Sequence, residues 1–160
     1  MRKNMYNKMI FLFIFLIFSV QGSAKTIVKR EFTEPLKTSI IIPCAGAHFQ
    51  HLNVLLQSYE HQTCLPDEVV ISLSSTEELN ISEIDTMENN AWPFKIKILR
   101  TFGKQSAGLN RNIASSHATG DIFIYQDADD IPHPQRVEIV KFLFENYFIV
   151  RFLPYFCRFL

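Results

Sequence analysis

Three carboxylates fall within four positions at Asp127, Asp129 and Asp130, directly after an uncharged run. Acids this close repel one another unless something positive sits among them. A hard divalent cation, Mg²⁺ or Mn²⁺, meets that need. It prefers oxygen ligands and commonly takes one or two from the protein and the rest from substrate phosphates. Side chains two apart in extended chain face the same way, so Asp127 and Asp129 could present both carboxylates on one side of a loop. A solvated acidic loop capping the next helix is the competing reading of the same residues.

The elements around these acids are readable from residue type and period. Ile122–Tyr125 reads I-F-I-Y, the composition of a buried strand whose C-terminal end opens into a polar site. Asp121–Gln126 is therefore expected to be the central strand. Thr38–Ile42 (T-S-I-I-I) reads as a buried strand stopped by Pro43, and the small residues Cys44 to Ala47 after it allow close approach of a ligand. From His48 to about Gln62, Leu52, Leu55, Leu56 and Tyr59 share one helical face. Glu68–Leu73 is a second strand. Ser74–Asn90 is polar, with Ile81, Ile84 and Met87 marking a short irregular helix. Phe94 to Leu99 alternates as a half-exposed strand does. Ala107 to Ala118 reads as a helix stopped by Gly120, and Pro134 to about Glu145 as another with Pro134 at its first position.

Strands joined through helices make a parallel sheet covered on both faces, in which ligands bind beyond the carboxyl ends of the strands. The fold class is thus α/β, Rossmann-like and mostly parallel. Pro43–Ala47, Leu73–Glu77 and Asp127–Asp130 all fall at such ends.

Composition narrows the function classes. With 160 residues, 16 basic and 16 acidic, the chain is long enough for a cored domain and carries no basic surplus or stripe. That excludes a nucleic-acid binder, whose phosphate contacts demand one. Cys44, Cys64 and Cys157 are too few and scattered for a zinc cluster or disulfide framework, leaving one Cys44–Cys64 bridge open. Residues 1–24 combine basic Arg2, Lys3 and Lys8, an apolar run at 9–20 and small residues up to Ala24, as a signal peptide does. An uncleaved anchor, with membrane association through 9–20, is the rival. Either way the mature domain is expected in the secretory pathway, secreted or membrane-associated. Asn80-Ile81-Ser82 is an N-glycosylation acceptor by sequence. Residues 25–37 read as a linker. The aromatic tail 146–160 reads as the start of a second half, with a strand at Phe148–Phe152.

Several short segments recur in a known order. They are S-I-I-I-P at 39–43, Q-S-Y-E-H-Q-T at 57–63, D-E-V-V-I-S at 67–72, G-L-N-R-N at 108–112, A-T-G-D at 118–121 and Q-D-A-D-D at 126–130, with H-P at 133–134. Over residues 38–145 the chain resembles the donor-binding half of a family 2 glycosyltransferase domain of the GT-A fold. The resemblance implies transfer of a sugar from a nucleotide-diphospho-sugar donor to an acceptor hydroxyl, on a glycan or another molecule, with inversion and with Mn²⁺ or Mg²⁺.

It implies Asp129 as the direct metal ligand, Asp127 as the contact to the donor's ribose or to metal-bound water, and Asp130 as a support of the loop. Pro43, Cys44 and Ala45 would line the nucleotide. Gly108, Arg111 and Asn112 would place a helix start beside the donor, with Arg111 on phosphate or Asn112 tying the helix to the acidic loop. Lys104 is a further phosphate candidate. His48, His51 and His61 read as surface residues, His117 as a helix-end residue and His133 as capping or solvated.

Two departures from the family pattern stand out. The acid expected after the second strand is replaced by Ser72 to Glu77, so base recognition would pass to hydroxyls such as Ser74 or to Glu77. The general base of an inverting transfer has no candidate here, which makes the domain look truncated. A catalytically inactive nucleotide-sugar binder and a nucleotidyltransferase are the alternatives.

Overall fold

The computed structural model describes residues 34–76 and 79–146. Four parallel strands form one sheet: β1 (Thr38–Ala45), β2 (Glu68–Ser74), β3 (Lys95–Arg100) and β4 (Ile122–Tyr125). Their spatial order is β3-β2-β1-β4. Four helices connect and follow them: α1 (Phe49–Glu60), α2 (Ile81–Asn89), α3 (Ala107–His117) and α4 (Arg136–Asn146). The expected α/β class and its helix-covered parallel sheet are what the chain adopts.

Alternation along β1 and β2 sorts the core into two layers, as period-two strands require. Ile40, Ile42, Val69, Ile71 and Leu73 face a thick layer that takes Leu52, Leu55, Leu56 and Tyr59 from α1, Ile84 from α2 and Val137 from α4. Ile41 and Val70 face a thin layer whose helix contribution is Ala114 of α3. A small residue there lets α3 lie close to the sheet. The α3-facing stripe of β2 then turns polar at both ends, with Glu68 at its start and Ser72 and Ser74 beyond Val70.

β4 is an outer strand among those described, not the central one expected. The positions buried on both faces are those of β1 and β2, whereas Phe123 and Tyr125 of β4 are partly open to solvent. Aromatic side chains tolerate such half-exposure, so an uncharged run mimicked an interior strand. Arg136 covers part of that edge by donating to the Tyr125 carbonyl at 2.8 Å.

β1 also runs through Pro43 rather than stopping at it. The Ile41 carbonyl accepts from Gln126 N on the β4 side, and Pro43, two residues on, points its imide the same way. Pairing with β4 has already ended at Ile41–Tyr125, so the missing N–H costs no ladder bond.

The expected irregular helix at Ile81–Met87 is the regular α2. Asn80 caps it, its side-chain oxygen accepting from Ser82 N at 3.0 Å. α4 begins at Arg136, two residues after Pro134, whose carbonyl accepts from Thr63 N. Cys44 and Cys64 are both free thiols, so no bridge joins them. Residues 1–33, the tail from 147 onward (including Phe148–Phe152 and Cys157) and Glu77 lie outside the described residues. No helix among the described residues is long and apolar enough to cross a membrane.

Opposite the strand ends, Glu68 joins β2 to the turn that leads into β4. Its carboxylate accepts from Ser39 Oγ (2.6 Å), Thr119 N (2.5 Å) and Gly120 N (3.2 Å). Partial burial raises its pKa, but those donors outweigh burial and hold it below the ordinary glutamate value. A depressed folded pKa means the clasp stabilises the fold fully at neutral pH. That contribution fades as pH falls below the ordinary value of about 4.3 and through the lower folded one. Glu68→Gln should lower unfolding free energy by about 1 kcal/mol at pH 7, a figure already reduced for solvent screening. Urea melts from pH 7 to pH 3 should show the gap between wild type and variant closing as acid is added.

Candidate active site

The site is built from the acidic loop upward. Gln126, buried at the end of β4, donates from Nε2 to the carbonyls of Asp127 (3.1 Å) and Asp130 (2.9 Å), and Asp130 N closes a turn onto Asp127 O at 3.3 Å. Tyr59 of α1 donates to Gln126 Oε1 at 3.4 Å. Burial, partly offset by Arg136, pushes the Tyr59 hydroxyl far up, so it stays protonated and remains a donor. Ala128 packs into the core. Asp127 and Asp129 on either side of it both line one cleft, as expected, but Ala128 lines it too and the chain turns at 128–129, so the turn and not an extended i, i+2 spacing brings the acids there.

That cleft, of about 200 Å³, is walled by the end of β1 (Pro43, Cys44, Ala45), by His48 and by the start of α3. Its volume falls below the roughly 300–1,000 Å³ of a complete small-molecule site, so it suits a diphosphate and part of its substituents. A larger groove of about 380 Å³ lies against α2. It sits away from the strand ends and offers one carboxylate, Glu83, so its chemistry is the poorer of the two.

Arg111 extends from α3 to Asp127, with Nη2 2.5 Å from Oδ1 and both side chains well exposed. The guanidinium thus stands at the cleft wall beside the acids and has donors left for an anion. Asp129 stands 3.7 Å from Nδ1 of His48. His48 is exposed, as expected of a surface residue, and it ends the one-turn helix Gly46–His48 that follows β1, a turn that brings it to the cleft mouth. His51 and His61 are exposed as expected, His117 lies against the Ile113 carbonyl at its helix end, and His133 accepts from Gln135 N as a local cap.

The first position of this turn has room for glycine alone. A Cβ there would come 2.6 Å from the Ser75 carbonyl oxygen, well inside contact distance. Cys44 lines the cleft, but burial, with the charge of Asp129 adding to it, pushes its thiol up to about 12. It stays a neutral thiol at physiological pH, neither nucleophile nor thiolate ligand.

Other expected residues lie apart. Gly108 and Asn112 of α3 and the exposed Asp130 and Lys104 do not line the cleft, where α3 and its approach contribute Gln105, Ala107, Asn110 and Arg111 instead. Ser74 is fully buried behind the cleft, bonded to the Cys44 carbonyl at 3.4 Å. Asn110 is the residue sequence reasoning passed over. It is buried on α3, donates to the Cys44 carbonyl (3.3 Å) and Ser74 Oγ (3.1 Å), and accepts from Ser72 Oγ (3.1 Å). Its signal was a polar residue one helical turn before Ala114 on the buried face of α3.

Two exposed carboxylates and an imidazole suit a divalent cation in donor type. Among the described residues no group of three or more His, Cys, Asp or Glu side chains is close enough to hold one alone. A cation here would need oxygens from its ligand, as Mg²⁺ and Mn²⁺ at phosphate sites do.

Comparison with known proteins adds the family. The profile of the family described as "Glycosyl transferase family 2" matches residues 39–155. No curated protein matches the chain. Among solved structures, S. aureus TarS is similar at TM-score 0.53 and 19% identity, over 69% of this chain and 20% of that one. TarS 1-349 in complex with UDP-GlcNAc is similar at TM-score 0.55 and 19% identity, over 69% of this chain and 32% of that one. The complex of TarS 1-349 with UDP gives TM-score 0.51 at 20% identity, over 69% and 32%. At such identity the likeness is one of fold, and the chain spans between a fifth and a third of these structures' lengths.

Proposed function

The chain belongs to glycosyl transferase family 2, and on that premise we propose that it binds a nucleoside-diphospho-sugar together with Mn²⁺ or Mg²⁺ for transfer of the sugar, with inversion, to an acceptor hydroxyl. The observation that carries the reading is the placement of Asp127, Asp129 and Arg111 on one cleft at the carboxyl ends of β1 and β4. In open α/β sheets that is where nucleotides sit.

Asp129, and Asp127 with it, would hold the cation, and the donor's phosphates would complete its shell. Bound there, the cation supplies Lewis-acid stabilisation of the charge that develops on the departing nucleoside diphosphate. Arg111 orients the same phosphates with the fork it already presents to Asp127. Pro43, Cys44 and Ala45 form a wall without charge, beside which the nucleoside can lie. Ser74 supports that wall from behind by bonding the Cys44 carbonyl rather than reaching the ligand. Residues 1–24 and the apolar run at 9–20 belong to the same proposal, as the segment that directs or anchors the domain in the secretory pathway.

UDP and UDP-GlcNAc, the ligands of the TarS structures, are the probes of choice. Calorimetric titration should show UDP-GlcNAc binding in Mn²⁺ at least about tenfold tighter than in chelator, a gain of about 1.4 kcal/mol. Equal affinity in the two buffers would overturn the metal-dependent reading. Release of UDP in the presence of acceptor extracts separates transfer from donor binding alone.

A further inference from the structure

His48 lies outside the acidic loop, yet the turn after β1 carries it to the same cleft. Its Nδ1 stands 3.7 Å from Oδ2 of Asp129, with the two side chains 46% and 54% exposed, so both retain room to move. Two ligands of one octahedral ion, each about 2.1 Å from it, stand about 3 Å apart when adjacent and about 4 Å apart when opposite. The observed spacing lies between those two values and matches neither, so a shared cation needs a small movement of one of these two exposed side chains.

The donor set then matters. Mg²⁺ takes oxygen and holds its water tightly, whereas Mn²⁺ accepts an imidazole nitrogen alongside carboxylates more readily. We propose that His48 joins Asp129 as a protein ligand of the divalent cation, and that this mixed nitrogen and oxygen pair makes nucleotide binding select Mn²⁺ over Mg²⁺. The inference rests on the donor-site reading above and adds the ion preference and the residue that sets it. No proton or covalent step is involved: the imidazole contributes a lone pair in its neutral form.

UDP is the probe, titrated into wild type, His48→Ala and His48→Asn in Mn²⁺ and in Mg²⁺. Wild type should favour Mn²⁺, and both variants should lose about tenfold in Mn²⁺ while changing less than about twofold in Mg²⁺. Electron spin-echo spectra of the Mn²⁺–UDP complex should show an imidazole nitrogen coupling that His48→Ala removes. Circular dichroism of the variants checks that this exposed substitution leaves the fold unchanged. A Mn²⁺ preference that survives in both variants, with the nitrogen coupling unchanged, overturns the assignment of His48. UDP binding that ignores both ions in wild type overturns the metal-dependent reading of the site, and no UDP binding at all overturns the donor-site reading, so these failures are distinguishable from that of His48.

Discussion

Asp129→Ala should weaken UDP binding in Mn²⁺ by about 100-fold, or about 2.7 kcal/mol, while leaving the melting temperature nearly unchanged. The stability half follows from its surroundings: the Asp129 side chain is more than half exposed, and its near neighbour is the partly exposed His48. Loop shape depends on Gln126 and the buried Ala128, which the substitution does not touch. The binding half follows from charge. A diphosphate approaching this mouth meets two carboxylates and one adjacent guanidinium, already engaged with Asp127. Without a cation the field is repulsive, and Asp129 is the acid that lines the cleft with no arginine on it.

A second measurement separates a metal ligand from a general contributor to the cleft. In chelator, removing Asp129 removes one repulsive charge, so the variant should bind UDP as well as wild type or slightly better. Loss in Mn²⁺ and none in chelator is the expected pair of results. Equal loss in both would make Asp129 a direct contact to the nucleotide and take the cation away from it.

The elements were legible because their periods are clean. The leucine stripe of α1, the β-branched runs of β1 and β2 and the alternation of β3 each match one template. What could not be read was strand order, since a short uncharged run such as Ile122–Tyr125 has the same composition at the edge of a sheet as in its interior. The cleft was half legible. Asp127 and Asp129 declare themselves by charge density, and Arg111 by its place in the G-L-N-R-N segment that resembles the family. The place of His48 at the cleft was hidden because it depends on the one-turn helix at Gly46–His48, and that turn depends on Gly46 fitting against the Ser75 carbonyl, a contact between residues distant in sequence. Gln126 was hidden for a similar reason. Its backbone ends a strand, while its side chain reaches forward to hold the loop. Asn112 was chosen over Asn110 by motif position. The 3.6-residue period places Asn110, not Asn112, on the face that carries Ala114 against the sheet.

Asn110→Leu should cost about 2–4 kcal/mol of stability, the largest loss expected from a single substitution at the cleft. Leucine keeps the branching of asparagine but carries bulkier methyl groups, so no cavity forms and some overpacking adds to the cost. The larger part of the cost is polar. Asn110 joins α3 to both interior strands, accepting from Ser72 of β2 and donating to Ser74 of β2 and to the Cys44 carbonyl of β1. Among the described residues every buried side-chain polar atom has a partner, so this node carries no slack. Leucine would leave the Ser72 hydroxyl without its acceptor and remove one of the two donors to the Cys44 carbonyl, in a layer closed to water. Urea midpoints measure the loss, and a combined variant identifies its cause. Adding Ser72→Ala to Asn110→Leu removes the orphaned hydroxyl along with its lost partner, so the pair should be less destabilised than the sum of the two single changes. Asn112→Leu, on the exposed side of the same helix, should stay within about 0.5 kcal/mol of wild type. If Asn112 proved the costlier of the two, α3 would have to be rotated from the orientation that places Arg111 beside Asp127, and the cleft would lose its only arginine among the described lining residues.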